Sequence, residues 1–116
     1  MSSTYCTLYV LRLLPPAHFY VGTTLRPFGK RLGEHKKGHG SMWSTRHGFH
    51  SVVEHYEVPV REASRLEDEK TIELMRAHGW QGVRGGKYVR VQDDDETWWL
   101  PVEFQPGQVN AYGLYH

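Results

Sequence analysis

The chain has 116 residues, a formal net charge of +1 and one cysteine, Cys6. That length sets an expectation of one domain with a modest core and excludes a catalytic domain joined to an independent partner-binding domain. A lone cysteine excludes an intrachain disulfide and, with no apolar run near ~18 residues and no basic or apolar leader at the start, sets an expectation of a soluble, cytoplasmic protein in a reducing compartment, with no membrane partner.

Residues 5–14 are rich in Tyr, Val and Leu and stop at Pro15-Pro16, the pattern of a strand running into a turn. Residues 18–22 read as a short strand ended by Gly22, so the two are expected to pair as an antiparallel hairpin. Pro27 suits a helix start, and residues 28–37 read as a helix stopped by Gly38 and Gly40. Residues 38–47 read as a loop, and residues 49–58 as a third strand bounded by Pro59. Residues 60–78 form the longest expected helix, closed by Gly79. Beyond it, residues 82–86 read as a tight turn, and residues 87–91 and 97–102 as the arms of a short hairpin around an acidic run. The order β-β-α-β-α predicts an α+β fold: a small antiparallel sheet of three core strands flanked by helices. Residues 1–90 would form the core, with residues 91–116 an extension packed on the same domain.

Charge is unevenly spread. Between Gly22 and His50 lie Arg26, Lys30, Arg31, Lys36, Lys37 and Arg46 against the single acid Glu34. From Gln92 onward stand Asp93, Asp94, Asp95, Glu96 and Glu103, with no lysine or arginine. A basic face on a near-neutral domain fits a phosphate-binding surface, and equally a solvated charged surface.

At 100° per residue, Ala63, Leu66, Leu74 and Ala77 share one face of the long helix, and Glu67 falls on it too. A carboxylate on an apolar stripe is costly unless paired or bound to metal. Two readings are open: Glu67 ligates a metal, or Lys70 at i+3 neutralises it. On the shorter helix, Arg31 and His35 share a face with Phe28 and Leu32. Arginine grips two phosphate oxygens in fork geometry, and histidine moves protons near neutral pH; alone, both also fit plain surface residues. Tyr9 and Tyr20, taken singly, fit packing. A phenol serves as a base only where something favours the phenolate. Lys36, Lys37, Trp43 and Arg46 fit phosphate contact with base stacking, although Trp43 fits equally as a cap on the core. His39, His47, His50 and His55 lack the paired spacing of a zinc site.

In this order the chain resembles the GIY-YIG endonuclease superfamily, in particular a small bacterial or phage type. Thr7-Leu8-Tyr9 stands where that superfamily has Gly-Ile-Tyr, and Tyr20-Val21-Gly22 where it has Tyr-Ile-Gly, with ten residues between the tyrosines. Arg31-Leu32-Gly33-Glu34-His35 is similar to its Arg-x-x-x-His helix, and Ala63-Ser64-Arg65-Leu66-Glu67 to its glutamate-bearing helix. The likeness covers roughly residues 5–90. It implies metal-dependent hydrolysis of a DNA phosphodiester, leaving a 5′-phosphate and a 3′-hydroxyl, with RNA also open as substrate. It further implies one Mg²⁺ or Mn²⁺ held by Glu67, and Arg31 against the scissile phosphate. Tyr9 and Tyr20 would share activation of water, Tyr20 slightly favoured as base. His35 would assist proton transfer or orient the phosphate. Gly22 would clear the phosphate path, and Lys30, Lys36, Trp43 and Arg84 would contact substrate, Arg84 being equally readable as a turn residue. Two departures stand out: Thr7 replaces the first glycine, and Gly82 stands near the place where many relatives carry a bracing asparagine. The competing expectations are a nucleic-acid-binding module with weakened catalysis, and a nuclease subunit of a larger repair or restriction assembly. Oligomeric state is open, with a homodimer or a protein partner as alternatives.

Overall fold

A computed structural model describes residues 4–15, 17–91 and 96–106. Asp93, Asp94 and Asp95 of the acidic run, and Asn110, lie outside the described residues. The fold is α+β, a four-stranded mixed sheet with helices on both faces. Strands β1 (Tyr5–Leu13) and β2 (His18–Thr24) pair antiparallel, with Tyr9 opposite Gly22 and Leu11 opposite Tyr20. Strand β2 therefore runs through Gly22 instead of ending there. Strand β3 (Phe49–Pro59) pairs antiparallel with the other side of β1, with register shifts after Val10 and Arg12.

The expected count of three core strands is corrected by β4 (Val83–Gly85), which pairs parallel with Phe19, Tyr20 and Val21 of β2. The sheet order is β3-β1-β2-β4. The glycine-rich sequence after the long helix reads locally as a turn, but Val83 and Arg84 are buried, and tertiary pairing overrides turn propensity. Nor do residues 87–91 and 97–102 form hairpin arms: Tyr88 makes one isolated bridge to Gly85, and Val102–Phe104 is a 3₁₀ turn.

Helix α1 spans Phe28–Lys36. A short helix, α2 (Met42–His47), replaces the expected loop, its N-terminus capped by Ser41 Oγ, which accepts from the Ser44 amide at 3.0 Å. Helix α3 covers Ala63–His78 after a 3₁₀ turn at Val60–Glu62. Its buried row is Ala63, Thr71 and Met75, with Glu67 between them; Leu66 and Leu74 are partly buried and Ala77 is exposed. The face is thus the i, i+4 row through Glu67, because α3 docks where Gly85 lets Thr71 approach: a Cβ on Gly85 would lie 2.6 Å from Thr71 Oγ1.

Being central, β1 is buried on both faces, which explains why it is almost continuously apolar rather than alternating. Cys6, Leu8 and Val10 pack with Phe19, Val21, Val58 and Met75 under α3, while Tyr9, Leu11 and Leu13 pack with Tyr20 and Trp43 under α1 and α2. Leu100, from beyond the acidic run, joins the α3 side. Among the described residues, no helix is long and apolar enough to cross a membrane.

Candidate active site

Alternation along β1 and β2 puts Tyr9 and Tyr20 on the same sheet face, ring centroids 6.3 Å apart. Gly22, opposite Tyr9, is needed there for a steric reason. A Cβ would sit 2.5 Å from Tyr9 Oη and 2.9 Å from Tyr20 Cε2. Its role in the fold is to give room to the two phenols.

Helix α1 covers that face and brings Arg31 and His35 onto the rings. Arg31 Nε donates to Tyr9 Oη at 3.3 Å, and Tyr9 Oη lies 2.9 Å from His35 Nε2. On the far side of the imidazole, His35 Nδ1 lies 2.8 Å from Ser44 Oγ. Ser44 Oγ also donates to the Ser41 carbonyl at 3.2 Å. With its proton directed there, Ser44 accepts from Nδ1–H, leaving Nε2 as the acceptor for the Tyr9 hydroxyl. Every member of this chain is satisfied, as a buried polar network must be.

Burial governs the titration of these groups. Tyr9, fully buried, has its pKa pushed up to about 12 by desolvation and by Tyr20, against the Arg31 hydrogen bond. His35, 1% exposed, is pushed down to about 4 by desolvation and the Arg31 charge, so it is neutral at physiological pH and out of reach of a bound phosphate. Tyr20, 9% exposed, is also raised, by desolvation and then Glu67, while hydrogen bonds from Ser41 and Arg31 act the other way. Arg31 has a further contact, with Glu34 at 3.7 Å.

Glu67 approaches from the opposite layer. Strand β4 pairs only as far as Val21, so beyond it the edge of β2 carries no strand partner on that side among the described residues. The Thr23 hydroxyl and the Gly86 amide lie near the Glu67 carboxylate and favour its charged form. The next residue, Asp68, accepts from the Lys87 amide at 3.0 Å, which ties α3 to the turn after β4. The expected alternative of a Glu67–Lys70 ion pair does not form. Lys70 instead binds Glu54 at 2.9 Å and Glu73 at 3.0 Å, because β3 passes on its side of α3. Desolvation and Asp68 raise the Glu67 pKa, and its charge in turn raises Tyr9 and Tyr20. Three elements (β1, β2 and α1) thus bring Tyr9, Tyr20, Arg31 and His35 together on one face of the sheet, while Glu67, on α3, acts on both phenols from the other layer through its charge.

The remaining candidates divide. Lys30 and Lys36 are exposed on α1, with Lys36 Nζ 5.6 Å from the Phe49 ring. Trp43 is buried, its indole N–H donating to the Phe19 carbonyl at 3.0 Å, so it caps the core. Arg84 is corrected from surface contact to internal strut. It is 5% exposed, its guanidinium lies 4.4 Å from Trp43 and 4.6 Å from Trp99, and it donates to the carbonyls of Trp80, Val83 and Arg90. Burial lowers its pKa to about 10. Gly82 has no room for a side chain, since a Cβ would meet the Ala17 carbonyl at 2.6 Å. His47 stacks on His18, and His55 on Phe28. Among the described residues, no group of three or more His, Cys, Asp or Glu is arranged to hold a metal.

Sequence reasoning missed Thr23, Ser41, Ser44 and Gly86. The Ser41 N-cap before Met42-Trp43 was a readable signal for α2; the other three gain their roles only from contacts across the fold. No family model, no curated protein and no solved structure matches this chain.

Proposed function

We propose that this chain is a metal-dependent endonuclease of GIY-YIG type that hydrolyses DNA phosphodiesters. The observation that supports this reading is the convergence of two phenols and one arginine with one carboxylate that has no ion pair among the described residues and whose charge reaches both phenols. The four side chains come from sequence positions as far apart as 9 and 67. Packing alone does not require a carboxylate lacking a cationic partner beside them.

The residues fit a divalent cation. Glu67 is a hard oxygen donor, half-buried, with two neutral N–H and O–H groups near it and no ion pair among the described residues. Mg²⁺ accepts one carboxylate when water and a phosphate oxygen complete its shell, so the lack of a larger ligand cluster is compatible with it. Such an ion supplies positive charge to the phosphate and offsets the carboxylate charge that raises the Tyr20 phenol.

Arg31 is the phosphate clamp. Its Nε is occupied by Tyr9 and its Nη1 lies 3.7 Å from Glu34, a long contact that a phosphate oxygen would compete for, while Nη2 makes no ion pair among the described residues. Tyr9 and His35 position Arg31 from behind, since both are buried and His35 stays neutral. Tyr20 is the phenol nearer solvent, so it is the candidate base; it would first release its own proton to solvent, a loss that Ser41 and Arg31 favour, and as phenolate would then accept the proton of the attacking water. Thr23 and Gly86 hold the Glu67 carboxylate, the bracing task that a side chain at Gly82 has no space to perform.

The test is a cleavage panel of single-stranded, duplex, flapped and four-way DNA with Mg²⁺ or Mn²⁺. Wild type is expected to cut and Glu67→Ala to fall to background, with DNA binding retained. Mn²⁺ is expected to raise the Tm of wild type but not of Glu67→Ala. Full cleavage by Glu67→Ala, or in the presence of a chelator, would falsify the mechanism.

A further inference from the structure

On the far side of Tyr20 from Tyr9 and His35 lies a cavity of about 240 Å³, lined by Tyr20, Ser41, Met42, Trp43 and Val89. It is smaller than the roughly 300–1,000 Å³ of sites for drug-sized ligands and has room for one flat ring. One wall is fixed: Trp43 is held by its bond to Phe19 and by Arg84 against its ring. Met42 and Val89 are 73% and 49% exposed, two apolar side chains held in water at a concave surface. Met42 adds a flexible thioether that adapts to a ring of either size. The lining residues that offer a hydroxyl are Ser41 and Tyr20, and the Trp43 indole N–H is taken by Phe19.

The position of Tyr20 links the cavity to the chemistry. Tyr20 lines the cavity with Ser41 and lies near enough to Arg31 to feel its charge, so the phosphate clamp and the cavity are joined by one residue. A phosphate held at Arg31 would have its own nucleoside within reach of the cavity. We propose that this cavity receives one unpaired nucleobase of the nucleotide at the cleavage site. The proposal rests on the nuclease reading and adds its substrate class, single-stranded, flapped or frayed DNA, because a base inside a duplex has both faces stacked and its edge paired. Largely apolar walls with two hydroxyls favour insertion and van der Waals contact over base-edge readout, so sequence preference is weak.

Binding and cleavage are measured separately so that the two readings fail separately. The full chain carrying Glu67→Gln is titrated by fluorescence anisotropy with three probes: a labelled oligothymidylate, an abasic strand of equal length and phosphate count, and a duplex. Oligothymidylate is expected to bind about tenfold more tightly than the abasic strand. Met42→Ser and Val89→Ser, both at exposed positions, are expected to remove that preference while leaving abasic binding unchanged. Equal affinity for thymidylate and abasic strands overturns the proposal, as does tighter binding of duplex. Self-association of the chain that Met42→Ser abolishes would assign the cavity to a second copy and overturn it too. Base-dependent binding without cleavage by wild type in Mn²⁺ keeps the cavity proposal and sinks the nuclease reading.

Discussion

At the residue scale, polar side chains acquire their roles from burial and partners rather than from type. Arg84 and Arg31 are both arginines near the same sheet, yet Arg84 is buried while the Arg31 side chain is 20% exposed. Arg84→Ala would leave the carbonyls of Trp80, Val83 and Arg90 unpaired and a void between two indoles. The expected loss is about 3–5 kcal/mol, against a total of ~5–15 kcal/mol for an ordinary domain. Lysine at this position recovers little, since an ammonium does not reproduce a planar fork stacked on rings. Thermal melts of Arg84→Ala and Arg84→Lys check this; unchanged Tm with weakened DNA binding would instead make Arg84 a substrate contact. The sequence Val-Arg-Gly-Gly carries no sign of this burial, because the indoles that enclose Arg84 are 41 positions before it and 15 after it, at Trp43 and Trp99.

At the element scale, α3 and β4 set the position of Glu67. Gly85 permits their close approach, and Thr71, one turn beyond Glu67, is the residue that fills the space. Gly85→Ala is expected to destabilise the fold by about 1–3 kcal/mol through overpacking and to lower cleavage further than the stability loss explains, since α3 must shift. Gly29 on α1 is the control: a Cβ there meets nothing within 4 Å. Gly29→Ala is expected to raise stability by about 0.5–1 kcal/mol through helix propensity. Urea titrations of both variants, with cleavage rates per folded molecule, test the pair. Equal effects of the two substitutions would remove the packing argument. The carboxylate on the buried stripe of α3 was legible from periodicity, but the row it shares with Thr71 and Met75 was not. A helix at this spacing offers neighbouring rows, and the docking surface selects one.

For the whole molecule, buried titratable groups link stability to pH. The His35 folded pKa, about 4, lies below its ordinary 6.5, so its contribution is present above pH 6.5 and is lost as pH falls toward 4. Glu67 has the opposite sense: its raised pKa makes its contribution full below its ordinary 4.5 and lost as pH rises through the folded value. Wild type is therefore expected to lose Tm on acidification between pH 6.5 and 4. His35→Gln is expected to start lower at pH 7 and to fall less steeply over that interval. Melting curves at half-unit pH steps measure both slopes; parallel curves would remove His35 as the acid-sensitive group.

The sequence by itself determined the β1–β2 hairpin, the three helical and strand elements that follow it in order, and the spacing of Tyr9, Tyr20, Arg31, His35 and Glu67. These follow from local rules: alternation, helical period, and glycine and proline stops. Only the tertiary structure decided that β4 joins the sheet in parallel, that Lys70 pairs with Glu54 and leaves Glu67 without an ion pair among the described residues, and that Trp43 and Arg84 brace the interior. The physical reason is that periodicity is written within a few residues, whereas the partner of a buried charge or the neighbour of a three-residue strand is chosen among groups far apart in sequence. That choice is made by which arrangement leaves the fewest polar groups unsatisfied.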